Sequence, residues 1–203
     1  MTAGARALPR LIVPPGWAYL PVGADNAAAA RSLFAAAAAA GPRDSITPFL
    51  REAERAVAAT LDDAFAGGAF AVALPLGALG PVPVSASIAL STVAATAATA
   101  ATAAAATLPN VGAAVDTDAG PARRRIVEAP PATGDTSEVV LLRTIDYTWL
   151  HEGGYLLAFA SISGLADPEY APVTDAMTLL ITTMLDALAL PAPQAADRGG
   201  EAA

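Results

Sequence analysis

Thr136 to Ile162 reads TSEVVLLRTIDYTWLHEGGYLLAFASI, and this stretch decides the fold. Two apolar runs rich in β-branched and aromatic residues flank His151-Glu152-Gly153-Gly154, the composition of a β-hairpin with a tight turn. Whether the turn centres on Glu152-Gly153 or Gly153-Gly154, the facing residues keep the same parity. One face then carries Val139, Leu141, Arg143, Ile145, Tyr147 and Trp149 beside Leu156, Ala158, Ala160 and Ile162. The other carries Val140, Leu142, Thr144, Asp146, Thr148 and Leu150 beside Tyr155, Leu157, Phe159 and Ser161. The first face is the richer in bulk, and the second mixes apolar with polar groups.

Downstream, residues 164–171 read as a loop. Pro172 to Leu190 forms an amphipathic helix, with Met177, Leu180, Ile181, Met184, Leu185 and Leu188 at helical spacing. Such a stripe offers cover for the bulky face of the hairpin. Pro191 ends the helix, and residues 191–203 have the composition of a disordered tail.

Upstream, the Ala/Thr tract at 94–107 has no large apolar residue to bury and reads as an inserted loop or linker. Strand pieces are expected at 112–116 and 122–128. In the second, Arg123 and Arg125 share a face while Arg124 points away, which suits a charged edge strand or a two-arginine anion contact. Residues 69–76 and 82–93 read as two further strands, with Pro83 at an edge or strand start. Before them, Thr47 is the expected cap of a helix with Pro48 at its first position, and Phe49, Leu50, Ala53, Val57, Leu61, Ala64 and Phe65 form its apolar stripe. Its acidic residues suit a solvated face better than a metal site. An Ala-rich helix over 27–40 is capped from Asp25-Asn26. Arg10 to Val22 reads as a strand, a Pro-Pro-Gly kink and a second extended piece, with Trp17 as a core or rim anchor.

Composition narrows the function classes. The hydrophobic fraction is 55%, yet Ala alone supplies 55 of 203 residues, so large apolar side chains are scarce. Ala buries little area at about 25 cal/mol per Å², and stability must rest on a few clusters. All eleven basic residues are Arg, which with the Ala, Gly and Pro excess points to a high-G+C bacterial genome. A net charge of −8 repels phosphate backbones and anionic lipid heads. No nucleic-acid partner is therefore expected. Without Cys there is no disulfide, thiolate metal site or Cys nucleophile. Residues 64–115 carry no charge, but prolines break the first half and Ala and Thr fill the second, so no membrane insertion is expected. With no apolar core for a signal peptide before Pro14, the expected location is cytoplasmic.

Chemistry is sparse. There is one His and no phosphate-binding loop, dinucleotide fingerprint or nucleophile elbow. No cofactor, metal or catalytic residue is assigned, and the chain is expected not to be an enzyme. The order of elements predicts an α+β fold, an antiparallel β-sheet flanked by helices on both faces. Through Pro14 to Trp17, Asp146 to Ser163 and Pro172 to Leu190 the chain resembles the PsbP-like α/β/α sandwich, in particular short actinobacterial proteins with a Pro-Pro-Gly-Trp start and a closing hairpin and helix. The resemblance implies a non-enzymatic binding or assembly factor and carries over no functional residue. One α+β domain over 1–190 is expected, with Thr144, Asp146, Thr148 and Ser161 lining a surface for a protein partner. A secretion-system accessory chaperone and a hydrolase-like enzyme around Asp146, Ser161 and His151 are the alternatives.

Overall fold

The sheet grows outward from the expected hairpin. The computed structural model describes residues 8–40, 43–76, 84–94, 108–128, 139–165 and 167–191. The expected tract at 94–107 (beyond Ala94), the tail beyond 191 and the proline-rich segment at 77–83 lie outside the described residues. Strands β1 (Trp17–Pro21), β2 (Ala69–Pro75), β3 (Ser85–Ala94), β4 (Ala113–Thr117), β5 (Gly120–Glu128), β6 (Val139–His151) and β7 (Gly154–Leu165) form one antiparallel sheet in the order β1-β2-β3-β7-β6-β5-β4. Helices α1 (Asn26–Ala40) and α2 (Arg43–Ala66) follow β1, and α3 (Ala171–Asp186) closes the described chain. The fold is α+β, as the order of elements implies.

Glu152 and Gly153 are the two central residues of the β6–β7 turn, at φ 48° and 75°. Positive φ at both positions is the geometry whose twist matches the flanking strands. The hairpin departs from strict alternation once. Leu141 faces Ser163 and Arg143 faces Ile162, so the register shifts between them. That bulge moves Val139 and Leu141 off the bulky face where plain parity puts them. They are 65% and 45% exposed.

The bulky face is covered by α3. Ile145, Tyr147, Trp149, Leu156, Ala160 and Ile162 are buried to 1% exposure or less, with Ile181 and Leu185 of α3 packed over them. Three threonines lie on the buried side of α3. Thr178 and Thr182 donate back to the carbonyls of Thr174 and Thr178, so the helix satisfies its own buried hydroxyls. The helix ends at Asp186, short of the expected 190, yet Leu188 still reaches the core. The strand expected at 10–13 reduces to a bridge between Arg10 and Ala189, which fastens Leu11 into the same cluster.

On the other side α1 and α2 pack over β1 and β2. Ala30, Val57 and Leu61 meet Val72 and Leu74, with Ala89 of β3 at the margin. Helix α2 starts at Arg43, ahead of the expected cap at Thr47. Of its apolar stripe, Val57 and Leu61 are buried, whereas Phe49 and Phe65 are 72% and 51% exposed. The small cluster on β1 and β2 engages only the middle of the helix. Asn26 links the pair: its Oδ1 accepts from the Gly23 N–H and its Nδ2 donates to Asp62 Oδ1, both at 2.9 Å.

Candidate functional site

Beyond Ala89 the second face continues over β3, β7, β6 and β5, and among the described residues no helix packs on it. The pairing places Thr144 opposite Ser161, Asp146 opposite Phe159 and Thr148 opposite Leu157. All four residues expected to line a binding surface therefore share this face. The strand pairings also bring β5 alongside, with Arg125 opposite Asp146 and Arg123 opposite Thr148.

Asp146 is held in a fork. Its Oδ2 accepts from Arg125 Nε at 2.8 Å and from Nη2 at 2.6 Å. Ser161 and Ser87 hydroxyls meet at 3.1 Å across β7 and β3. A groove of about 410 Å³ takes in Asp146 and Thr148 but neither Thr144 nor Ser161, and is lined besides by Ser91, Pro109, Val111, Arg123, Arg125, Leu157 and Phe159. Phe159 is 50% exposed, and Leu150 and Val93 on the same face are 41% and 48% exposed. The arrangement offers hydroxyls, one neutralised carboxylate, one more guanidinium and a partly bared aromatic ring. A few fixed polar groups among apolar side chains is the general composition of binding sites.

The three residues of the hydrolase alternative, Asp146, Ser161 and His151, do not converge. His151 lies opposite Gly154 and carries the parity of the α3 face, away from Asp146 and Ser161. Its Nε2 stands 3.7 Å from Glu152 Oε1, next to it in the turn. The Asp146 carboxylate is committed to Arg125, and Ser161 to Ser87. Among the described residues no group of three or more metal-ligating side chains converges.

The arginine triplet divides its work. Arg125 forks onto Asp146, so the expected anion contact of two free arginines is reduced to Arg123, whose Nη1 reaches the Gly112 carbonyl at 3.5 Å. Arg124 turns to the other face, donating to the Tyr147 hydroxyl at 3.4 Å and standing 3.7 Å from Asp186. The hydrogen bond to Tyr147 raises the Arg124 pKa. Tyr147 donates to Asp186 Oδ1 at 2.8 Å, and burial pushes its phenol up from the ordinary value. Its ring stacks on Trp149 at 5.1 Å, and Trp149 Nε1 donates to Thr117 Oγ1 at 2.9 Å.

A second polar cluster sits at the other end of α3, unseen in the sequence. Arg143 Nη1 donates to Asp175 and to Thr178, and Nη2 to Glu128, at 2.8–2.9 Å. The signal was present in the parity: Arg143 is an arginine on the face that a helix covers, which demands partners from that helix.

Comparison of the chain with protein-family models, curated proteins and solved structures finds no match. No helix among the described residues is long and apolar enough to cross a membrane.

Proposed function

We propose that the chain is a non-catalytic binding or assembly factor that engages a protein partner through the helix-free face of its sheet. One observation carries this reading. Alternate residues of the same two strands are sealed under α3 on one side, while on the other Phe159 lines a groove at 50% exposure and Leu150 stays 41% exposed. Exposed apolar side chains in one contiguous patch, with polar groups at fixed positions, mark interaction surfaces. The resemblance to PsbP-like sandwiches points the same way. Protein rather than nucleic acid fits the net charge of −8.

The test is capture by tagged protein from cells of the native host, compared between wild type and the double variant Asp146→Asn, Thr148→Val. Loss of a specific partner with an unchanged melting midpoint supports the reading. Unchanged capture with a large fall in stability assigns the four polar residues to the structural core and removes the site.

A further inference from the structure

The sheet ends on β4, and the charges beside that edge complement those of a second copy. We propose that two chains pair edge to edge through β4, antiparallel about a two-fold axis at Val115, so that the sheet runs from one molecule into the next. The edge is separate from the open face, and pairing there leaves that face free for another protein.

The backbone sets what the edge offers. In the order of strands β4 is outermost, and among the described residues no strand pairs with its outer side. The two-residue turn between Thr117 and Gly120 makes these two a hydrogen-bonded pair, and such pairs alternate along an antiparallel ladder. Ala113, Val115 and Thr117 therefore turn their N–H and C=O groups to β5, while Ala114 and Asp116 turn theirs outward. Pro109 and Val111 line the groove on the open face, and the chain bends into the strand at Gly112, at φ 87°.

Charge sets the register. A two-fold mate places outward groups against outward groups, so Ala114 and Asp116 face either themselves or each other. Asp116 against Asp116 opposes like charges. Ala114 against Ala114 leaves Asp116 opposite Gly112, where the backbone has left the strand. Ala114 against Asp116 overlaps the whole of β4 and satisfies every outward group of both residues. In that register the partner's Asp116 stands in one row with Ala114 and Arg123, which are paired across β4 and β5. Two strand spacings, about 10 Å, separate the backbones of Arg123 and the partner's Asp116. The small Ala114 between them leaves the way open. Arg123 already leans over β4, its Nη1 at 3.5 Å from the Gly112 carbonyl. Neither Arg123 nor Asp116 has an ion-pair partner among the described residues. The axis repeats the row, so each copy supplies one arginine and one aspartate.

The remaining acids stay clear of the axis. Asp118 lies three residues from Val115, so its two copies stand about 20 Å apart along the strands, beyond a screening length of about 8–10 Å. Asp186, beside it, is engaged by Arg124 and Tyr147. Helix α2 and its acids lie over β1 and β2, at the opposite end of the sheet. An acid on an exposed edge ordinarily turns other strands away. Here it turns away those without a matching arginine one strand behind, and a second copy has one.

The contact is five residues long in each copy. It belongs with the small, reversible interfaces below about 1,200 Å² and should dissociate on dilution. The experiment is sedimentation of the purified full chain over a range of concentrations, and wild type is expected to dimerise as concentration rises. Asp116→Arg and Arg123→Asp each set like charges in both rows, and each should weaken self-association by at least about tenfold. An equimolar mixture of these two variants restores opposite charges in both rows. It is expected to form a mixed dimer within about threefold of wild-type strength, which a role confined to one chain would not produce. Ala114→Pro removes an outward N–H and no bond to β5, and should also weaken the dimer. Circular dichroism verifies folding, and Ala114→Pro takes the place of a reversal that does not fold. A wild type monomeric at every concentration, a dimer indifferent to these changes, or a mixture no more associated than either variant alone overturns the proposal.

Discussion

The two faces of β6 and β7 are built from alternate residues of the same 25 positions, 13 in one strand and 12 in the other, and they serve opposite ends. Under α3, Tyr147 and Trp149 stack, Trp149 is fully buried, and each polar atom of the pair has a partner. One residue away along the strand, Asp146 and Thr148 look out onto a groove beside a half-exposed Phe159. Stability is thus written in the odd positions of β6 from Arg143 onward, and the proposed binding surface in the even ones. Because side chains alternate with a period of two, a chain can change one face with little effect on the other. That separation can be tested from either side.

The largest effect is expected on the sealed face. Trp149→Ala should cost about 3–5 kcal/mol, the usual cost of truncating a buried aromatic. Against a total stability of about 5–15 kcal/mol this leaves the protein marginal. A urea titration reads it directly, and an unchanged midpoint would mean that the two faces do not differ as described.

Next comes the hydroxyl of Tyr147. Tyr147→Phe leaves Asp186 and Arg124 without their shared partner, and about 1–3 kcal/mol is expected for breaking a part-buried hydrogen bond of this kind. Chemical denaturation at neutral pH measures it. Partner capture should be unaffected, since the change lies on the α3 side.

Tyr19 supplies the contrast within that face. Its hydroxyl is buried with no hydrogen-bond partner among the described residues, and burial pushes its pKa from 10.0 up to about 12. The folded state then holds the phenolic proton more tightly than the unfolded chain. The corresponding stability is complete below pH 10 and is lost as pH rises towards 12. Tyr19→Phe should therefore flatten the decline in that alkaline window, and at neutral pH it should be neutral or mildly stabilising. A steeper alkaline decline in the variant would count against an unpaired hydroxyl.

Much of this division was legible in the sequence because it depends on parity. The hairpin, the face shared by Thr144, Asp146, Thr148 and Ser161, and the stripe of α3 all follow from spacings of two and of three to four residues. Three features were not legible, each for a physical reason. The bulge between Leu141 and Arg143 has no signature, since no Gly or Pro marks it, and it reverses Val139 and Leu141. The Arg125–Asp146 fork depends on which strand lies beside β6, and strand order is a long-range property that local patterns do not carry. The exposure of Phe49 and Phe65 reflects how small the cluster under α2 is, while a helical stripe only shows that burial is available.

The smallest stability effect is expected where the effect on binding is largest. Asp146 and Arg125 are joined with good geometry, yet their side chains are 24% and 55% exposed. An exposed ion pair contributes about 0–1 kcal/mol, because water and salt screen the attraction and two long side chains lose freedom in forming it. Thr148→Val keeps the shape of the β-branched side chain and suits a strand at least as well. The double variant Asp146→Asn, Thr148→Val should therefore melt within a few degrees of wild type. On the proposed surface the same two changes free Arg125 from its counter-charge and erase a hydroxyl at the groove wall. An uncompensated guanidinium at the centre of an apolar contact must be desolvated, and that cost falls only on the bound state. Binding should weaken by at least about tenfold, equivalent to about 1.4 kcal/mol. Calorimetric melting and partner capture on one preparation compare the two quantities. A drop in stability larger than the drop in association would place Asp146 with Trp149, among the residues that hold the sheet together.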